Sequence, residues 1–106
     1  MLNLHMPEMR IVSKKTITTY YSKHKEAEVS LCDWYRKTSK ARWYNFAQVK
    51  TTYSSADYVG NKRIVFNIGG GKYRLIAFVW FKAQTVFIRF IGTHAEYDNI
   101  ADIQNI

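Results

Sequence analysis

Residues 63–91 read Arg63-Ile64-Val65-Phe66-Asn67-Ile68-Gly69-Gly70-Gly71-Lys72-Tyr73-Arg74-Leu75-Ile76-Ala77-Phe78-Val79-Trp80-Phe81-Lys82-Ala83-Gln84-Thr85-Val86-Phe87-Ile88-Arg89-Phe90-Ile91. Ile64, Phe66 and Ile68 alternate with Arg63, Val65 and Asn67, the period of two expected of a strand with two different faces. The triple glycine then breaks the run. Lys72 to Phe81 and Thr85 to Ile91 follow as β-branched and aromatic runs separated by Lys82-Ala83-Gln84, which predicts an antiparallel meander of three strands. Tyr73 to Phe81 is apolar on both parities over most of its length, as a central strand covered on both faces requires.

Upstream of the meander the period changes. Met9 to Val12 reads as a short strand. Ser13 is placed to cap a helix running to about His24, with Ile17, Tyr20 and Tyr21 at the i, i+3, i+4 spacing of one buried stripe. A second helix is expected from Glu26 to about Ser39. Leu31, Trp34 and Tyr35 repeat the stripe, Glu26 and Glu28 lie in its first turn, and Arg36, Lys37 and Lys40 lie near its end, as the helix dipole favours. Cys32 is expected in a small buried or half-buried position. Arg42 to Tyr53, with Asn45 as a cap, fits a third short helix. Helices before and sheet after make this an α+β domain: an N-terminal strand and two or three helices packed on a small antiparallel sheet. Residues 1–8 carry no pattern and are expected to be a flexible lead to a single domain over residues 9–106.

The 106 residues are 47% apolar and 16% aromatic, enough for one core and unlike the composition of a disordered chain. Leu75 to Phe81 is too short to span a bilayer, and the N-terminus lacks the apolar stretch of a secretory signal, so a soluble, cytoplasmic protein with no membrane partner is expected. The single cysteine excludes an internal disulfide and suits a reducing compartment. Sixteen Lys and Arg against eight Asp and Glu give a net charge of +8. Between Asp57 and Glu96 no acid interrupts Lys62, Arg63, Lys72, Arg74, Lys82 and Arg89. That stretch points to a polyanion, nucleic acid before an anionic membrane or an acidic protein.

Parity places Arg63 with Asn67 on the first strand of the meander, Lys72 with Arg74 on the second, and Arg89 opposite Val86, Ile88 and Phe90 on the third. One basic sheet face results if the registers agree. Gly69-Gly70-Gly71-Lys72 is not a phosphate loop, because Tyr73 opens a strand where that motif needs Ser or Thr and a helix; the glycines suit a hairpin with positive φ. Gly92-Thr93-His94-Ala95-Glu96-Tyr97-Asp98 gathers an imidazole, a phenol and carboxylates, the imidazole exchanging protons near neutral pH. As a helical turn it sets His94, Tyr97 and Asp98 on one side, with Thr93 and Glu96 forming a capping box. Only His94 and Asp98 are local metal-ligand types, with His5 and His24 distant, so no metal or other cofactor is expected. A serine triad has no support either, since no serine follows Ser55.

Met9-Arg10-Ile11-Val12-Ser13-Lys14-Lys15, Ala56-Asp57-Tyr58-Val59-Gly60-Asn61, Val65-Phe66-Asn67-Ile68, Gly71-Lys72-Tyr73-Arg74-Leu75 and Phe87 through Asp98 together resemble the HigB-type toxins of bacterial type II toxin–antitoxin systems. The resemblance runs from Met9 to about Ile100. It implies the RelE-like ribonuclease fold and an mRNA interferase acting on the translating ribosome. The same resemblance implies inhibition by a HigA-type helix-turn-helix antitoxin, through which alone operator DNA is bound. Related toxins line their site with an arginine after the hairpin loop and imidazole and tyrosine groups after the last strand, positions held here by Arg74, His94 and Tyr97. The triple glycine departs from the more polar loop of many relatives.

RNA supplies its own 2′-hydroxyl nucleophile, so such an enzyme needs a phosphate holder and proton-transfer groups. Arg74 suits the phosphate, with Arg89 as a second stabiliser, His94 as acid or base, and Tyr97 as hydrogen-bonding or stacking partner. Lys62, Arg63, Asn67 and Lys72 are the expected RNA-binding residues. Arg89 equally fits an edge position or an ion pair with Asp98. Two other functions fit the chain: a gyrase-inhibiting ParE-type toxin on the same scaffold, and a non-catalytic RNA-binding module.

Overall fold

The computed structural model describes residues 7–106; the expected lead over residues 1–8 lies, up to residue 6, outside the described residues, as does His5. The elements run β1 (Arg10–Val12), α1 (Lys14–Lys23), α2 (Glu28–Ser39), α3 (Phe46–Thr52), β2 (Asp57–Gly60), β3 (Arg63–Ile68), β4 (Tyr73–Trp80), β5 (Thr85–Thr93) and α4 (His94–Asp98). The five strands form one sheet in the order β1-β5-β4-β3-β2. The meander β3-β4-β5 is antiparallel, as its period of two predicts. Two edge strands extend it. β2, which carries no alternating apolar pattern, pairs antiparallel with β3, and β1 pairs parallel with β5, so the sheet is mixed rather than purely antiparallel. A parallel pair needs a long crossover, here three helices and three strands, and such a partner is invisible to local periodicity.

β4 is the central strand and is buried along most of its length. Tyr73, Leu75, Ala77 and Val79 of β4 face the helices together with Ile64, Phe66 and Ile68 of β3 and Val86 of β5. Ile17 of α1, Leu31 and Trp34 of α2 and Val49 of α3 complete that core. Phe66 is its centre: Trp34, Trp43 and Tyr53 have ring centroids 5.4, 6.2 and 5.3 Å away. Each such buried side chain contributes roughly 1.5–3 kcal/mol relative to exposure. The Tyr53 hydroxyl reaches back to the Trp34 carbonyl at 3.0 Å and the Thr38 hydroxyl at 2.8 Å, satisfying polar groups within the apolar layer.

Three local expectations are adjusted. Ser13 occupies the cap position of α1, but its hydroxyl meets that of Thr16 at 3.2 Å and no side-chain cap bond forms. Glu26 lies in a 3-10 turn before α2, where its carboxylate accepts from the Tyr73 hydroxyl at 2.8 Å; that bond replaces its role in a first helical turn. Cys32 is exposed, because it follows Leu31 on α2 and so falls off the stripe Ala27, Leu31, Trp34, Thr38 that faces the core. Asn45 caps α3 as expected, accepting from the Gln48 amide at 3.0 Å.

Candidate active site

The second face of the sheet carries no long helix. Alternation assigns to it Arg63, Val65 and Asn67 of β3, and register brings Phe78, Ile76 and Arg74 of β4 directly opposite them. Across β5 the partners of Arg74, Ile76 and Phe78 are Gly92, Phe90 and Phe87. Strict alternation sets Arg89 against Phe90, but a register shift between Ile76 and Ala77 leaves Arg89 as the unpaired residue of a bulge. The bulge turns it onto this face, its guanidinium 5.8 Å from the Phe78 ring and 5.9 Å from that of Phe87. Arg74 and Arg89 therefore share one face.

At the hairpin end of this face the glycine loop, Arg74 and Tyr97 meet. The glycine loop, with φ of +61°, +68° and +96° at Gly69, Gly70 and Gly71, folds back so that the Gly71 carbonyl accepts from Arg74 Nη1. That bond fixes one arm of the guanidinium and leaves the rest of the fork for a ligand. The Arg74 guanidinium lies 5.6 Å from the centre of the Tyr97 ring on α4. α4 begins at once after β5, because Thr93 accepts from the Glu96 amide at 3.1 Å and Glu96 accepts from the Thr93 amide at 2.8 Å. The capping box and the proton-transfer cluster coexist. His94 donates its backbone N–H to the Lys72 carbonyl at 3.0 Å, which ties α4 to the strand after the loop.

His94 Nδ1 lies 3.1 Å from Asp98 Oδ2, with both side chains more than half exposed. Asp98 thus engages the ring through Nδ1, the nitrogen other than the Nε2 at its far side. Tyr97 is half-buried; burial first, and then the carboxylates of Asp57 and Asp98, push its phenol above the ordinary tyrosine value against the opposing pull of Arg74. It stays protonated at neutral pH, so its hydroxyl retains a proton to donate. Asn67, across from Arg74, and Lys72 are both exposed at this end.

The remaining candidates lie elsewhere. Arg74 and Phe78 are four residues apart on β4, about 13 Å at the rise of an extended strand, and Arg63, Lys62 and Arg89 belong to the Phe78 end. Arg89 lies beyond the three residues of β5 that β1 covers, so the strand is locally an edge there, as one of the two alternatives expected; the other, an ion pair with Asp98, is not seen, the carboxylate lying beside His94. Arg63 is corrected from RNA-binding residue to structural residue. It is buried to 8% exposure, donates to the carbonyls of Asn61 and Ile106 at 3.0 and 2.6 Å, and packs 5.0 Å from the Phe78 ring. A guanidinium so engaged has no open fork for phosphate. His24 stacks on Tyr20 with centroids 4.2 Å apart.

Sequence reading missed Asp57, whose strand it did not assign, and Phe90, whose ring end approaches Gly92. It also passed over Phe78 and Trp80, although both share the parity of Arg74. Among the described residues no helix is long and apolar enough to cross a membrane.

The family model described as HigB_toxin, RelE-like toxic component of a toxin-antitoxin system, matches residues 27–100. The chain is similar to the mRNA interferase toxin HigB of Escherichia coli (strain K12), with 29% identity over 93 residues, 85% of this chain and 88% of the relative. The mRNA interferase HigB of Shigella flexneri matches to the same extent. That of Escherichia coli O6:H1 (strain CFT073) is 28% identical over 94 residues, 87% of this chain and 91% of its own length. With most of its length matched, including the strands, the loop and the helix that assemble the site, the chain belongs to the HigB toxin family of RelE-like toxic components of toxin–antitoxin systems.

Proposed function

We propose that this toxin is a metal-independent endoribonuclease that cleaves mRNA on the translating ribosome in the cytoplasm, with residues 9–106 acting as one catalytic domain. The Arg74 guanidinium over the Tyr97 ring, with the Asp98-held His94 three residues before Tyr97 on the same short helix, carries the reading. The names of its relatives support the substrate. His94 Nε2 takes the proton of the 2′-hydroxyl, whose oxygen attacks the adjacent phosphorus. Arg74 neutralises the charge that builds on the phosphoryl oxygens, and the Tyr97 phenol donates a hydrogen bond to them. The bond to the 5′-oxygen breaks, and the proton taken up by His94 passes to that leaving oxygen, giving a 2′,3′-cyclic phosphate and a 5′-hydroxyl. Lys72 and Asn67 hold the flanking backbone.

A HigA-type helix-turn-helix antitoxin is the partner, and operator DNA is contacted only through it. The acid-free stretch from Tyr58 to Ala95 calls for an antitoxin surface of acidic character wherever it covers this sheet. Primer extension on mRNA from induced cells, with Arg74→Ala and His94→Ala tested singly, checks the reading. Discrete cuts within codons, lost in both variants by about 100-fold or more, are expected. Wild-type cutting by both variants overturns the site. Intact mRNA with blocked supercoiling identifies a gyrase inhibitor instead.

A further inference from the structure

About 430 Å³ of open groove lies at the end of the sheet face away from the hairpin, and it is lined by Lys62, Phe78, Trp80, Phe87 and Arg89. Its lining consists of three aromatic rings and two cations with no acid. Trp80 is 46% exposed, and Phe78 and Phe87 are half-buried with ring centroids 6.0 Å apart at 62°. The apolar surface of these rings is not used for packing against the helices, which lie on the other face. Phe90 and Ile76 lie on the same face between Phe78 and the Arg74–Gly92 pair, so the groove and the candidate active site sit at opposite ends of one face with a short stretch of strand between them. Lys62 is held at its mouth by a left-handed φ of +64°, with its amide toward the Tyr58 hydroxyl at 3.3 Å.

We infer that this groove is a stacking subsite for single-stranded RNA, binding a nucleotide remote from the scissile bond. Aromatic faces accept any base, and the flanking cations meet the backbone phosphates, the combination by which sequence-tolerant single-strand binding works. An acidic protein segment would match the two cations but leave the tryptophan face unused. Arg89 then acts on the strand in this groove rather than on the reacting phosphate. The inference rests on the nuclease reading only for the identity of the strand.

Fluorescence anisotropy with 2′-O-methyl RNA oligonucleotides, which lack the attacking hydroxyl, separates binding from cleavage. A probe of about twelve nucleotides is expected to bind more tightly than one of about four. Trp80→Ala weakens the longer probe roughly five- to 100-fold and leaves the shorter one unchanged, while Trp80→Phe restores affinity. Trp34 and Trp43 are buried, so RNA-dependent quenching of tryptophan fluorescence is expected from Trp80 and disappears in Trp80→Phe. Lys62→Gln with Arg89→Gln lowers the slope of log affinity against log salt by about 1.4.

Absent binding of either probe by the wild type, equal affinity of Trp80→Ala for the longer probe, or loss of antitoxin affinity alone overturns the inference. Loss of probe binding in Trp80→Ala by a wild type that never cuts mRNA supports the groove and refutes the nuclease. Unchanged probe binding in Trp80→Ala, with cleavage abolished by Arg74→Ala, does the reverse.

Discussion

Replacing Gly92 by alanine tests how the fold holds its candidate proton-transfer group. Gly92 pairs with Arg74 across the sheet and is buried. A Cβ at this position would lie 2.5 Å from Phe90 Cζ and 2.8 Å from Glu96 Oε1, both closer than real Cβ contacts allow. Both are side-chain ends, so they move before the backbone does. When the Glu96 carboxylate moves, it leaves the Thr93 amide that it accepts from at 2.8 Å, and half of the capping box that starts α4 is lost. That loss costs about 1 kcal/mol, and crowding Phe90 costs roughly another 1–3 kcal/mol. The restricted unfolded chain of alanine returns about 0.4–1 kcal/mol. The net is a destabilisation of roughly 1–3.6 kcal/mol, read as a fall in the urea midpoint or about 4–8 °C of Tm for each kcal/mol. The effect on cleavage is larger, because His94 and Tyr97 ride on α4 and a shift of about 1 Å at a reacting group costs on the order of 100-fold. A double-mutant cycle with Glu96→Ala isolates the mechanism: Gly92→Ala should cost less stability when the carboxylate is already gone. An equal cost in both backgrounds, or a single variant with wild-type stability and cleavage, would refute the reasoning.

Trp34→Ala removes a ring that is 2% exposed and packed against Phe66, and a loss of about 3–5 kcal/mol is expected, visible as a lowered urea midpoint. Arg63→Ala should lower stability, because the carbonyls of Asn61 and Ile106 lose their donor, and leave the salt slope of RNA binding unchanged; a slope reduced by one phosphate's worth would return Arg63 to the binding residues. Alkaline titration has a defined sign. Tyr73 is pushed up to about 12 by its bond to Glu26, and Tyr53 to about 12 by burial, so both favour the neutral phenol in the folded state. Their stabilisation is complete below pH 10 and is lost as pH rises from 10 through 12, and Tyr73→Phe should flatten part of that loss in denaturation midpoints measured across the range. At the acid end Glu26, held low by its backbone and Tyr73 bonds, contributes stability present above the ordinary glutamate value and lost as pH falls below it, which Glu26→Gln should diminish.

The meander, the helices around Ile17, Leu31, Trp34 and Val49, the cap at Asn45 and the capping box at Thr93 were all legible in the sequence, because each depends on residues within one turn or one strand. His94 and Tyr97 were legible in the proton-transfer groups of residues 92–98, while their grouping with Arg74 as one site came from family resemblance. That Arg74 stacks on Tyr97, and that Asp98 holds His94, required the register of β4 on β5 and the immediate turn from strand to helix. The parallel pairing of β1, the short edge strand β2 and the burial of Arg63 under the C-terminal residues depend on partners far along the chain. No local pattern encodes them. Arg89 marks the division most sharply: alternation sets it opposite Phe90, and a single extra residue in β5 returns it to the face of Arg74, beside Phe78 and Phe87. The sequence alone determined the local elements and the excess of positive charge over the sheet. Tertiary structure decided which cations remain free for a ligand, because hydrogen-bond partners and strand register are properties of packing rather than of neighbouring residues.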